Sequence, residues 1–300
     1  GRPGQMRGGQ MRGGQGAPMP QAQPQRPPRG LNENYGRELL ELHTLGVDGG
    51  YTQQDVIAVA RAFTGWTIER PRGGGGDFEF NERIHDAGDK VVLGQKLPSG
   101  GGQRDGERVL DLLAKHPATA RHIATKLATR FVSDTPPPAL VDRAAKVFLE
   151  TGGDLRKVTR TILLSPEFMA DAARGAKVKT PFEFVASALR VTSADVRNAA
   201  PVVLQLRTLG MPLYGAQPPT GYDDTAASWV NTGALLNRMN FAVSLVSNKL
   251  QGARVAAEID PDAIVPADRM SPNTRATVAQ AADRQKRLAL VLGSPEFQKR

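Results

Sequence analysis

The sequence contains no cysteine among its 300 residues. That excludes disulfides, thiolate metal sites and a cysteine nucleophile. Aromatic residues are sparse, at 5% of the chain, and none alternates with basic residues in the ladder that stacks nucleic-acid bases. No apolar run reaches the ~18 residues that a membrane-spanning helix needs. Neither a Gly-x-Ser-x-Gly elbow nor a His-Glu-x-x-His pair occurs, so two widespread hydrolase signatures are missing.

Acidic residues are absent from the first thirty positions, where Arg2, Arg7, Arg12, Arg26 and Arg29 stand without a counter-charge. Part of the formal charge of +9 therefore belongs to this leader. The remaining charges fall in mixed pairs such as Arg37/Glu38 and Asp142/Arg143, the pattern of solvated helix faces, and do not favour a nucleic-acid partner. The leader repeats Gln5-Met6-Arg7-Gly8-Gly9 as Gln10-Met11-Arg12-Gly13-Gly14 and continues into a Pro/Gln stretch. Such a composition buries too little apolar surface to offset the entropy of ordering, so residues 1–30 read as a disordered Arg/Gly/Pro/Gln-rich linker. Residues 31–300 read as a helical domain. The chain opens on Gly1 and reads as a fragment of a longer protein, so no compartment follows from its first residues.

Helical periodicity starts at Asn32. Asn32 or Asn34 caps a helix carrying Tyr35, Leu39, Leu42 and Leu45, and Gly46 closes it. Thr52, with Asp55 three residues on, opens a second helix with Val56, Val59, Ala60 and Phe63 on its buried stripe. Phe78 and Phe80 alternate with polar residues, and Val91-Val92-Leu93 is short and β-branched. These two runs read as one small β-hairpin turning through His85–Asp89, between mobile stretches at Gly73–Gly76 and Ser99–Gly102. Helical signals then continue to the end. Ser165-Pro166-Glu167-Phe168 and Ser294-Pro295-Glu296-Phe297 are two copies of a helix-to-helix corner. The fold class expected is mainly α: about ten helices in an array of antiparallel pairs, with one hairpin inserted.

Candidate chemistry is thin. Glu38 and Glu41 share a helix face, His43 ends that helix, and His85-Asp86 lies on the expected hairpin turn. Carboxylates and imidazoles of this kind bind a divalent metal or act as an acid–base pair; His43, His85 and Asp86 would be the metal ligands. The competing expectation is that Glu38 and Glu41 pair with Arg37 or Arg61 while the histidines bond backbone. His116 beside Pro117 reads as a helix cap, and His122, near Arg121 and Lys126, as exposed. Trp66, Tyr214, Tyr222 and Trp229 are candidates to line a ligand groove, the last three on or beside a long loop from Gly210.

Several stretches, taken together, resemble one family. They are Asn32–Gly46, Tyr51-Thr52, Phe63-Thr64-Gly65-Trp66, His85–Lys90 with Leu93-Gly94, His116–Ala120, Gln217–Tyr222, Trp229 and Asn237–Phe241. They look like the domain-of-unknown-function 1800 family. The resemblance implies a bacterial, exported protein, periplasmic or extracellular, and a larger parent with a further helical half. Members are often encoded beside a sulfatase-like protein, which implies a binding or assembly partner. It carries no established catalytic residues. The alternative is a metal-assisted or acid–base hydrolase using the Glu/His/Asp set. Neither cofactor nor oligomeric state is fixed by the sequence.

Overall fold

The computed structural model describes residues 31–69, 76–255 and 259–300. The leader and most of the Gly73–Gly76 stretch lie outside them. Twelve α-helices are found among the described residues: α1 (Glu33–Glu38), α2 (Gln53–Ala62), α3 (Arg104–Ala114), α4 (Pro117–Phe131), α5 (Pro138–Glu150), α6 (Leu155–Leu163), α7 (Pro166–Met169), α8 (Pro181–Val191), α9 (Ala199–Thr208), α10 (Thr232–Val246), α11 (Pro272–Ala279) and α12 (Arg284–Gly293). The protein is mainly α with small two-stranded hairpins. No described helix is long and apolar enough to cross a membrane.

Helix starts follow from local chemistry. Asn32, Asp154, Asn231 and Asp283 each accept a backbone N–H from the first turn. Thr52/Asp55 and Thr180/Glu183 form complete capping boxes, satisfying donors that the helix cannot satisfy itself. His116 caps α4 by accepting the Ala118 N–H, with Pro117 at the first helical position. Both Ser-Pro-Glu-Phe corners use one device: Ser165 Oγ accepts from Phe168 N–H, and Ser294 Oγ from Phe297 N–H.

The first helix departs from its apolar spacing. Beyond Glu38 it widens into a π-helical turn, Leu39–Thr44, ending where Leu45 N–H donates to the Leu40 carbonyl. Leu40, Leu45 and Gly36 are buried, whereas Tyr35 is exposed. The extra residue per turn rotates Leu45 onto the face of Leu40. Gly46 then stops the helix at φ +87°, and a side chain there would meet His122 Nδ1 at 2.9 Å. His122, expected to be exposed, is half-buried against this turn, its Nε2 3.2 Å from the Leu42 carbonyl. Burial pushes its pKa down. Gly46→Ala is expected to lose about 1–2 kcal/mol from the left-handed backbone alone, and more from the clash. Urea denaturation checks this; wild-type stability would show that the turn relaxes freely.

The single expected hairpin is two. Phe78–Phe80 (β2) pairs antiparallel with Trp66–Ile68 (β1), and Lys90–Val92 (β3) pairs with Gln95–Leu97 (β4). Aromatic packing draws β2 to β1: the Trp66 ring stacks edge-on against Phe63 at 4.9 Å and Phe78 at 5.0 Å. The second hairpin turns on Leu93 and Gly94, both at positive φ (50° and 76°), the backbone a type I′ turn demands. Asp55 Oδ1 accepts the Leu93 N–H at 2.7 Å, so the carboxylate that closes the α2 capping box also pins this turn. A third pair, Asp195–Val196 (β5) with Ala253–Arg254 (β6), lies in the later half.

Apolar side chains gather in three successive cores. The first joins Leu40, Val56, Val59, Val92 and Leu113. The second, from α4, α5 and α6, is built on Ala120, Ala124, Leu140, Ala144, Val158 and Ile162. The third centres on Phe184, with Phe241, Leu245, Val291 and Leu292 around it.

Candidate functional site

His85 and Asp86 do sit at a concentration of polar groups, but it is a buried one. Thr64, just past α2, directs its hydroxyl to the Arg61 carbonyl at 2.6 Å and accepts the Asp86 N–H at 2.8 Å. His85 Nδ1 lies 2.7 Å from the Thr64 carbonyl. Its Nε2 faces Asp105 Oδ2, in the first turn of α3, at 3.4 Å. Lys90 Nζ donates to that same Oδ2 at 2.8 Å and to the carbonyls of Asp86 and Gly88 at 2.5 and 2.8 Å. The His85 side chain is 2% exposed, and those of Lys90 and Asp105 are fully buried. Three buried polar atoms converge here without a hydrogen-bond partner: Trp66 Nε1, His85 Nε2 and Asp105 Oδ1.

Glycines make this knot tight. A Cβ on Gly106 would lie 2.6 Å from the Trp66 ring, and one on Gly101 would collide with Asp105 Oδ1. Gly106 thus lets α3 approach β1 closely, and Gly101 leaves room for the buried Asp105 carboxylate. Asp86 points the other way, half-buried, clasped by Arg61 through Nε and Nη2 at 2.7 and 3.1 Å. The Arg61 hydrogen bond holds its carboxyl below the usual aspartate range, outweighing burial.

The other candidates do not join this knot. His43 is exposed on the π-turn. Glu41 accepts a long hydrogen bond from Tyr51 Oη at 3.5 Å, while burial and then Glu41 raise the Tyr51 pKa. Arg37 binds Gln53 and Arg61 binds Asp86, so Glu38 and Glu41 do not take the arginine partners expected of them. Among the described residues no group of three or more His, Asp or Glu side chains is arranged to hold a metal ion. Lys90 and Asp105 were missed at the sequence level.

The long loop behaves differently. Its far end is pinned to the helices by charge. Arg130, on α4, bonds both Asp224 and Glu183 at 2.7 Å. Lys177, 2% exposed, donates to Asp134 and to the Asp224 carbonyl, and Asp134 also accepts the Ala226 N–H. Burial works against ionisation of Asp134, but Lys177 and that N–H outweigh it and lower its pKa. Within the loop, Tyr222 Oη donates to the Pro212 carbonyl and Trp229 Nε1 to the Asp223 carbonyl. Trp229 is buried beside Tyr222, their ring centres 6.0 Å apart. Tyr214 is the exception: wholly exposed and at φ +56°. Trp66 belongs to the separate cluster of Tyr35, Phe63 and Phe78. The four aromatics therefore do not share a stacked cluster.

Compared with known families, residues 12–299 match the one described as "Protein of unknown function (DUF1800)". The match begins inside the Arg/Gly leader. No curated protein and no solved structure matches the chain. With nearly its whole length accounted for by that match, the chain belongs to the DUF1800 family.

Proposed function

We propose that this chain is a binding or assembly component of the bacterial envelope, recognising its partner with the loop Met211–Trp229. The observation that carries this reading is the contrast between the pinned body of the loop and Tyr214 at its surface. Arg130, Lys177, Tyr222 and Trp229 hold the backbone, while the Tyr214 side chain reaches solvent in full, next to the 40% exposed Leu213. An aromatic presented on a pre-ordered loop buries a large area on binding while little chain freedom remains to be lost. Farther on, Leu236, Met239 and Val243 form an exposed stripe along α10 at helical spacing. The family resemblance supplies the partner class, an exported sulfatase-like protein.

The hydrolase reading has weaker support. Its residues are dispersed: Glu38, Glu41 and His43 lie along the first helix and its π-turn, Asp86 is clasped by Arg61, and Nε2 of the buried His85 faces Asp105 and not an opening. A base must lie within reach of the proton it takes.

Co-purification from the native host tests the proposal. Tyr214→Ala should fold normally, since the side chain touches solvent alone, and should reduce recovery of the sulfatase-like partner by about tenfold or more, the scale of an aromatic hot spot. Equal recovery with wild type and variant, or no envelope protein recovered with either, would overturn it.

A further inference from the structure

The later half of the chain carries a second feature. Between α8, the strand-like segment 177–179, the residues after Ile259 and the C-terminal residues lies a cleft of about 760 Å³, within the range of small-molecule sites. Arg174, Lys179, Arg190, Arg269, Lys299 and Arg300 all line it. Glu296 is the one carboxylate among the described lining residues, and it is already occupied by the Ser271 N–H at 2.9 Å and the Thr274 hydroxyl at 3.1 Å. Arg300 is engaged by Glu183 and the Arg130 carbonyl. Among the described residues, Arg174, Lys179, Arg190, Arg269 and Lys299 have no ion-pair partner within 4 Å.

A concentration of like charge is costly unless solvent or an anion relieves it. Lys179 is the inner member. Its Nζ lies 3.9 Å over the Phe297 ring. Burial, with the Arg238 charge adding to it against the pull of Glu183, pushes its pKa down to about 8. Val265 and Phe297 are buried and give the cleft an apolar floor. The wall is held firmly: Lys179 N–H donates to the Gln298 carbonyl and Arg300 N–H to the Lys177 carbonyl, so the cations on both strands keep a fixed spacing.

We propose that this cleft binds a small organic oxyanion, a phosphate or sulfate monoester whose apolar part rests on Val265 and Phe297. Guanidinium forks match the paired oxygens of such a group, and Lys179 supplies a point charge from below. An extended nucleic acid suits the site less, because the one aromatic ring in it is buried and unavailable for stacking.

Isothermal titration of the whole chain at low salt tests this with phenyl phosphate, phenyl sulfate, inorganic phosphate and a ten-nucleotide RNA as probes. At least one phenyl ester should bind, and more tightly than inorganic phosphate. Whichever ester binds better identifies the source chemistry. Arg190→Ala and Arg269→Ala, both at exposed side chains, should each weaken that binding by about tenfold or more, the worth of a charge-assisted hydrogen bond. Lys146→Ala, at an exposed position outside the cleft, serves as the charge-matched control and should leave it unchanged. Three results would overturn the proposal: no heat from either ester at millimolar concentration, equal affinity in the arginine variants and the control, or RNA binding tighter than both esters.

Discussion

Asp105→Ala is expected to destabilise the fold by about 3–5 kcal/mol, the cost of stripping one partner from a buried ion pair. Lys90 would keep the carbonyls of Asp86 and Gly88 but lose the carboxylate with which it forms a buried ion pair, with no solvent to replace it. His85 Nε2 would face an empty pocket. The urea midpoint should fall at an unchanged slope, as for a loss of stability within a two-state transition. Replacing the pair together, Lys90→Met with Asp105→Leu, should recover a large part of the loss, because packed apolar side chains substitute well for buried ions. A cost below about 1 kcal/mol for Asp105→Ala, the range of exposed pairs, would contradict the burial of the knot.

The third core has an equally sensitive point. Phe184→Ala is expected to cost about 3–5 kcal/mol through lost burial and the cavity left behind. Phe184 is fully buried, edge-on to Phe241 at 5.6 Å and Phe297 at 6.0 Å. Its ring also lies 5.3 Å from the Arg238 guanidinium. That arginine is 2% exposed, bonded to the Gln298 side chain and the Lys179 carbonyl, and burial pushes its pKa down to about 10. The variant should therefore loosen a charge as well as a core. Amide exchange at Lys179 and Arg300, which tie segment 177–179 to the C-terminal residues, should accelerate more than exchange in α5. Uniform acceleration would mean that global unfolding alone had changed.

Much of the fold was legible because it is written locally. The Thr52/Asp55 box, the His116 cap and the paired Ser-Pro-Glu-Phe corners each involve residues two or three positions apart, and each stands as read. The strands were harder. The β1–β2 and β5–β6 partners are chosen by contacts across ten residues or more, and the local Leu93-Gly94 turn of β3–β4 lacks the asparagine that usually marks its type. The knot was least legible. Lys90 lies in an alternating strand and Asp105 in a polar first turn, where both residue types are ordinarily solvated; the close approach of α3 at Gly106 is set by the Trp66 ring, forty positions away. Arg61 likewise gave no sign that it would choose Asp86, twenty-five positions on, over the nearer Glu38 and Glu41.

The widened turn at Leu39–Thr44 bears on how this chain is compared with others. Five residues along a regular α-helix carry a side chain about 140° around the axis, yet Leu40 and Leu45 here look into the same core. The segment therefore holds one residue more than its geometry would otherwise count. A relative whose first helix stays α-helical would match this chain only with a one-residue gap inside Leu39–Thr44. Aligned without that gap, every position from Leu45 toward Gly46 would be equated with its neighbour, and the turn-stopping glycine would be set against the wrong residue.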